Sequence, residues 1–429
     1  EATVRLIHSP PARTLVVLGY GDVCQAADHV PEIMKHHPVG LEGLDDRLVG
    51  DMQIKGLNVS DISLLPPGRG WLLVEFGGKD KQEADAKGRE LIAGLDGNPD
   101  APAAKLFDDL AQEKEVWKIR ESGLGATAHI PGRRETWPGW EDSAVAPEKF
   151  GRYLREFRKL LSRYGYDCAM YGHFGQGCLH CRIDFELTTA AGVAKWRAFL
   201  MDAADLVAGM GGSLSGEHGD GQQRAELLER MYGPEIIQAF REFKAIWDPE
   251  GRMNPGKVVD AYRLDENLRL GTGYRPPPTD TYFKYPEDEY DFPRATLRCV
   301  GIGNCRQQGG GVMCPSFLAT REEKHSTRGR ARLLFEMLSG DVIKGGWQDE
   351  AVRDALSLCL SCKGCKGECP VNVDMATYKA EFLAHYYEKR RRPLRAYAFG
   401  WIDRWSRLAA AAPTLTNALT HAPGLSTAV

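Results

Sequence analysis

The segment CLSCKGCKGECP places Cys359, Cys362, Cys365 and Cys369 in the order C-x2-C-x2-C-x3-C, followed by Pro370. Few short patterns constrain a chain more. Thiolates at this spacing converge on one metal cluster, and Gly364 and Gly367 let the backbone curl around it. A structural zinc site is the alternative for four close cysteines. The Cys-Pro pair and a second, partial set upstream favour iron–sulfur ligation.

The chain holds eleven cysteines, and seven of them lie between Cys299 and Cys369. Such clustering in a 429-residue chain reads as metal ligation in a reducing, cytoplasmic setting rather than as a disulfide framework. The upstream set is Cys299 and Cys305 in CVGIGNC, then Cys314 in MCPS. In two-cluster ferredoxins the fourth cysteine of the long run serves the other cluster. That crossover puts Cys359, Cys362, Cys365 and Cys314 on one [4Fe–4S] cluster. Cys299, Cys305 and Cys369 are left for a second, with Ile302 where another thiolate would point. The second cluster is then either [3Fe–4S] or a [4Fe–4S] cluster completed by a non-cysteine ligand. His325 of EKHSTRGR is the candidate, and a neighbour of a helix N-cap is its alternative role.

A net charge of −4 excludes general affinity for nucleic acid, and no apolar run reaches the length of a membrane span. Up to about residue 260, strand-like stretches (TLVVLGY, GWLLVEFGG) alternate with helical ones (KQEADAKGRELIAGL, PEKFGRYLREFRKLLSRYG). An α+β domain with an antiparallel sheet is expected over residues 1–262. A Pro-, Tyr- and acid-rich linker follows at 263–290, then the cysteine region at 291–385, with STRGRARLLFEMLSG as a capped helix. The basic, aromatic tail at 386–429 is read as helices packing on a neighbouring domain, with peripheral membrane contact as the alternative. Cys24, Cys168, Cys178 and Cys181 are read as packing residues.

GHFGQGCLH carries His173 and His180 among glycines, and SGEHGDG carries Glu217 and His218. Two imidazoles and a carboxylate suit a divalent metal with open positions. Either stretch alone is no more than a glycine-rich turn.

GHFGQGCLH, SGEHGDG and DPEGRMNPGK together resemble the C-terminal (cap) domain of FAD-linked oxidases of the vanillyl-alcohol-oxidase type. The nearest branch oxidises D-2-hydroxy acids such as D-2-hydroxyglutarate and D-lactate. The family has Asp and Asn where this chain has Gln176 and Cys178. The resemblance implies a metal, zinc first with manganese or iron as alternatives, on His173, His180 and Glu217. It implies His218 as the base, Asn254 and Lys257 beside the flavin, and Arg120 against a substrate carboxylate, with a surface ion pair as the alternative for Arg120. GVMCPSFLATREEKHSTRGRARLL resembles the ferredoxin-like segment fused to such oxidases, and CVGIGNC resembles the [3Fe–4S] segment of succinate dehydrogenase iron–sulfur subunits. Those fusions carry an N-terminal FAD-binding domain and often a C-terminal cysteine-rich domain, so the chain is expected to be the middle of a longer protein. The expected function is FAD-dependent oxidation of a D-2-hydroxy acid, with electrons leaving through iron–sulfur clusters to an unassigned acceptor. A glycolate- or glycerol-3-phosphate-type dehydrogenase subunit and a non-catalytic electron-transfer subunit are the alternatives. The expected partners are the small hydroxy acid and further copies of the chain in a homo-oligomer.

Overall fold

The computed structural model describes residues 3–7, 9–97 and 100–422. Its first part is built on β1 (Ala12–Tyr20), β2 (Gly40–Asp45), β3 (Gly70–Gly78), β4 (Ala103–Phe107), β5 (Ser143–Ala144), β6 (Cys168–Gly172) and β7 (Cys178–Ile183). They form one sheet in the order β4-β1-β3-β2-β6-β7-β5, with every neighbouring pair antiparallel. The β1 run Leu15–Val16–Val17–Leu18 is fully buried. A strand covered on both faces reads as a continuous apolar run rather than an alternating one.

Val16 and Leu18 face a core shared with Val23, Phe150, Phe157 and Phe199, whereas Leu15 and Val17 face Leu48, Met52, Val116 and Ile119. Helix Pro147–Tyr164 shows why the first face closes. Phe150, Tyr153, Leu154, Phe157 and Leu161 recur at three- and four-residue steps, so one stripe is apolar and buries. Pro147 opens the helix, and Gly165 ends it at φ 61°.

The cysteine region has a separate core of Phe292, Leu334, Leu338, Val352, Tyr378 and Phe382. Its main helices are Thr327–Ser339, capped by Ser326 and ended by Gly340, and Met375–Tyr386. The α+β class with an antiparallel sheet holds, and the cysteine region is helical.

The segment read as a linker is more tightly held than its composition suggests. Leu264, Leu270 and Tyr285 are buried. The buried Glu381 carboxylate accepts the amides of Tyr282 and Phe283, both at 2.9 Å. An extended segment whose amides bond to a side chain needs no periodicity of its own. The tail differs too. Helices Leu394–Gly400, Ile402–Ala411 and Pro413–His421 bury no residue against the rest of the chain. Among the described residues no helix is long and apolar enough to cross a membrane.

Candidate functional site

Pairing of β6 with β7 sets Tyr171 opposite His180, and His173 follows directly at the end of β6. The hairpin between them can close only through glycine. Gly177 has φ 65°, and a Cβ there would lie 1.9 Å from the Val145 carbonyl oxygen. The loop carrying Glu217 and His218 is fixed by Asp142, which is fully buried. The Asp142 carboxylate accepts the Glu217 amide at 3.1 Å and the His218 amide at 2.8 Å. It also accepts the Ser215 hydroxyl and the Cys178 thiol. Burial pushes the Asp142 pKa up, but the Ser215 hydroxyl and the two amides outweigh it and hold the group below the usual carboxylate range.

These two loops bring the histidine motifs together. Glu217 Oε1 lies 2.9 Å from His173 Nε2, 3.3 Å from His180 Nε2 and 3.5 Å from His218 Nε2. The carboxylate oxygen therefore sits where three imidazole nitrogens converge. Asp142, His180, Glu217 and His218 each place a ligand atom within 4.8 Å of the others. Asp142 already serves four donors, while His173 turns its Nε2 to the same Glu217 oxygen. Burial, reinforced by Arg120, His173 and His218, pushes the His180 pKa down to about 4, which keeps its imidazole neutral. His180 Nδ1 is buried without a hydrogen-bond partner, 3.6 Å from Glu141 Oε1. Two neutral-capable imidazoles and one carboxylate fit zinc. Half-exposed His218 stacks on His180, with ring centroids 5.3 Å apart.

Glu42 on β2 was not legible as a site residue. Its Oε1 lies 2.5 Å from His173 Nδ1, and that hydrogen bond raises the His173 pKa. Its Oε2 accepts Arg120 Nε at 2.8 Å and lies 2.7 Å from Arg120 Nη2. The structure thus pairs Arg120 with Glu42, behind His173, rather than with its sequence neighbour Glu121. Asn254 lies exposed in a turn at φ 47°. Lys257 Nζ donates to Gln222, and the next amide, Val258, donates to Gly221 beside the His218 loop.

In the cysteine region Cys314, Cys359, Cys362 and Cys365 line one small cavity with Thr327, Arg330 and Met375. Thr327 donates its amide to Cys314 Sγ at 3.0 Å. Cys299, Cys305 and Cys369 are electrostatic neighbours on the other side. Cys305 also touches Cys314, so the two sets adjoin. That contact, with the Arg328 amide at 3.4 Å, pulls the Cys305 pKa down to about 6. His325 is buried with Nδ1 2.9 Å from the Thr320 hydroxyl, next to the helix cap Ser326. Ile302 instead faces the first domain: a Cβ on Gly125 would meet Ile302 Cδ1 at 3.1 Å and Pro370 Cβ at 2.5 Å.

Residues 9–258 match the family profile described as FAD linked oxidases, C-terminal domain. The chain belongs to that family. Residues 295–373 of this chain match the 4Fe-4S dicluster domain, in agreement with the two thiol sets. The chain is 31% identical to D-2-hydroxyglutarate dehydrogenase of Pseudomonas putida, over 98% of this chain and 45% of that protein. It is 27% identical to the Escherichia coli (strain K12) protein of that name, over 99% of this chain and 46% of the relative. D-lactate dehydrogenase of Archaeoglobus fulgidus is 29% identical over 60% of this chain and 54% of its own length. The chain thus spans about half the length of these relatives.

Proposed function

We propose that the polypeptide containing this chain oxidises a D-2-hydroxy acid to its 2-oxo acid, with D-2-hydroxyglutarate the first candidate and D-lactate the second. The observation that carries this reading is the convergence of His173, His180 and Glu217 with His218 stacked alongside. His173, His180 and Glu217 hold the divalent metal, for which zinc is the first choice. When bound, the metal supplies Lewis-acid polarisation of the substrate hydroxyl. His218 Nε2 takes the hydroxyl proton. Its Nδ1 lies 3.9 Å from Asp142 Oδ2, so a buried carboxylate stands ready to stabilise the imidazolium. Arg120 holds Glu42, and Glu42 orients His173. To clamp a substrate carboxylate, Arg120 would have to release Glu42. FAD, when bound, would supply the two-electron acceptor, and the seven cysteines from Cys299 to Cys369 would hold iron–sulfur clusters capable of one-electron chemistry. Asn254 and Lys257 stand on the loop assigned to the flavin side.

Dye reduction by the intact natural polypeptide tests the reading on both enantiomers of 2-hydroxyglutarate and lactate, and on glycolate. Turnover is expected with the D-acids, D-2-hydroxyglutarate first, and His218→Ala is expected to lower kcat/KM by about 10²–10⁴-fold. A variant with undiminished turnover would remove His218 as the base. Turnover of glycolate alone would move the protein to the glycolate-type branch, and no turnover of any acid would favour an electron-transfer subunit.

A further inference from the structure

One cation stands beside the contact between the two domains. Lys55 is the last residue of helix Asp46–Lys55, which Gly56 ends at φ 66°. It does not point to solvent. Its Nζ donates to the carbonyl oxygens of Gly125 at 2.6 Å and Ala128 at 2.7 Å. These carbonyls belong to the end of the short helix Gly123–Ala126, where backbone acceptors lack intrahelical donors. Gly125 is the residue that packs on Ile302 and Pro370, and Ala128 lies in the core of the cysteine region. The lysine therefore braces, from within the first domain, the loop that packs against the Cys369–Pro370 corner.

Among the described residues no carboxylate forms an ion pair with Lys55, and Asp51 is its nearest electrostatic carboxylate partner. Both of its hydrogen-bond partners are neutral. Asp51, on the same helix, is held by Arg47 and Arg133. The neighbouring cation is compensated: Arg298 Nε donates to Asp288 at 2.6 Å. Lys55 lies close enough to the Cys369 thiol for the two charges to interact. Burial pulls the Lys55 pKa down to about 8, so the ammonium still predominates at neutral pH. The cavity of Cys314, Cys359, Cys362 and Cys365 is, by contrast, lined only by residues of the cysteine region, and Cys362 is exposed.

We propose that Lys55 is a positioning residue for electron transfer: its ammonium raises the reduction potential of the cluster held by Cys299, Cys305 and Cys369, and makes that cluster the entry point from the flavin-bearing side. This rests on the cluster reading given above. Each electron arriving from reduced flavin adds one negative charge to this cluster. A fixed positive charge at its edge favours the reduced state, the more so because the surrounding medium screens poorly. The electron then passes to the four-cysteine cluster, which lies farther from the first domain and nearer to solvent. Two such one-electron transfers reoxidise one flavin, whose protons leave to water.

The test is a potentiometric titration of the intact polypeptide, followed by EPR, on the wild type and on Lys55→Met, Lys55→Gln and Lys55→Arg. Cys299→Ala, which removes a thiolate of the three-cysteine set, marks which signal belongs to that cluster. Lys55→Met and Lys55→Gln are expected to lower the reduced-to-oxidised ratio of that cluster about tenfold at fixed potential, which is about 59 mV for one electron. The other cluster should stay unchanged, and Lys55→Arg should stay within about twofold of the wild type on the same scale. Gln keeps N–H donors for the two carbonyls, so it separates charge from fastening. Unmoved ratios, an equal shift of both clusters, or an Arg variant that shifts like Met would overturn the proposal. If neither Met nor Gln variant assembles the cluster, Lys55 is only a structural clamp and the proposal falls. Absence of iron from the wild type is a different failure: it sinks the cluster reading itself.

Discussion

The imidazole–carboxylate site and the cysteine site are built by opposite strategies. The first is framed by the sheet and one buried anchor. His180 sits on β7, His173 follows β6, and Asp142 fastens the Glu217 loop through three donors while also taking the Cys178 thiol of β7. The second is carried by short helices such as Pro315–Thr320 and Gly364–Glu368, with Cys305, Cys314 and Cys365 themselves part of the core. In one domain the fold makes the site. In the other the site contributes much of the fold, because ligand binding there is also folding free energy.

The largest expected effect follows from that contrast. Stripping iron should open residues 291–387 to protease while the sheet domain stays resistant. Limited proteolysis with mass mapping of the fragments checks this. Chelating the divalent metal from the first domain should leave its fragment pattern unchanged. Equal collapse of both domains in either treatment would break the contrast.

Next comes Asp142→Ala. It strands the buried amides of Glu217 and His218 and the Ser215 hydroxyl. Each buried donor left unpaired costs about 1–3 kcal/mol, so a loss of about 3 kcal/mol or more is expected, together with loss of metal binding. Denaturant unfolding followed at the sheet domain, with metal analysis, measures both. Retained metal would mean that the Glu217 loop does not depend on its anchor.

These anchors show where sequence reading reached and where it stopped. The cysteine run, the two histidine motifs and helix Pro147–Tyr164 were legible because each has a local spacing with one physical meaning. Glu42 and Asp142 were not. Glu42 lies in the short, glycine-interrupted strand GLEGLD, and Asp142 in WEDSA, which has no periodicity. Their roles come from pairing across the sheet: β2 beside β6 brings Glu42 to His173, and β5 beside β7 brings Asp142 to Cys178. Such neighbours are set by topology, which no short window encodes. Arg120 teaches the same lesson, since a partner 78 positions away claims its guanidinium. The anchoring of the 263–290 segment has a related cause, because Glu381, about a hundred residues on, holds the amides of Tyr282 and Phe283. The placement of His325 against Thr320 was likewise invisible in a signature that gives only its proximity to Ser326.

Glu42→Gln should act on binding more than on folding. The amide cannot hold His173 Nδ1 and Arg120 as the carboxylate does, so the ring loses its fixed orientation. Loss of such a supporting partner costs about 10–100-fold in metal affinity, read by competition with a chromogenic chelator. The melting temperature should move little. An unchanged affinity would show that the backbone hairpin alone orients His173.

The smallest effect is expected in the tail, and it sharpens the contrast from the other side. Trp401 packs at a tilt against Trp405 and edge-on against Tyr397, and neither tryptophan belongs to either core. Replacing both by Ala should change the stability of the two domains by no more than about 0.5 kcal/mol. Phe382, only a few turns earlier, is fully buried between Trp347 and Tyr386. Phe382→Ala should cost about 3–5 kcal/mol, because the cavity it leaves cannot refill. The same residue class thus changes its meaning between Tyr386 and Leu394. Parallel thermal unfolding of the two variants locates where the cysteine domain ends. A large loss from the tryptophan pair would place the tail inside the fold after all, and extend the part of the molecule that depends on the clusters.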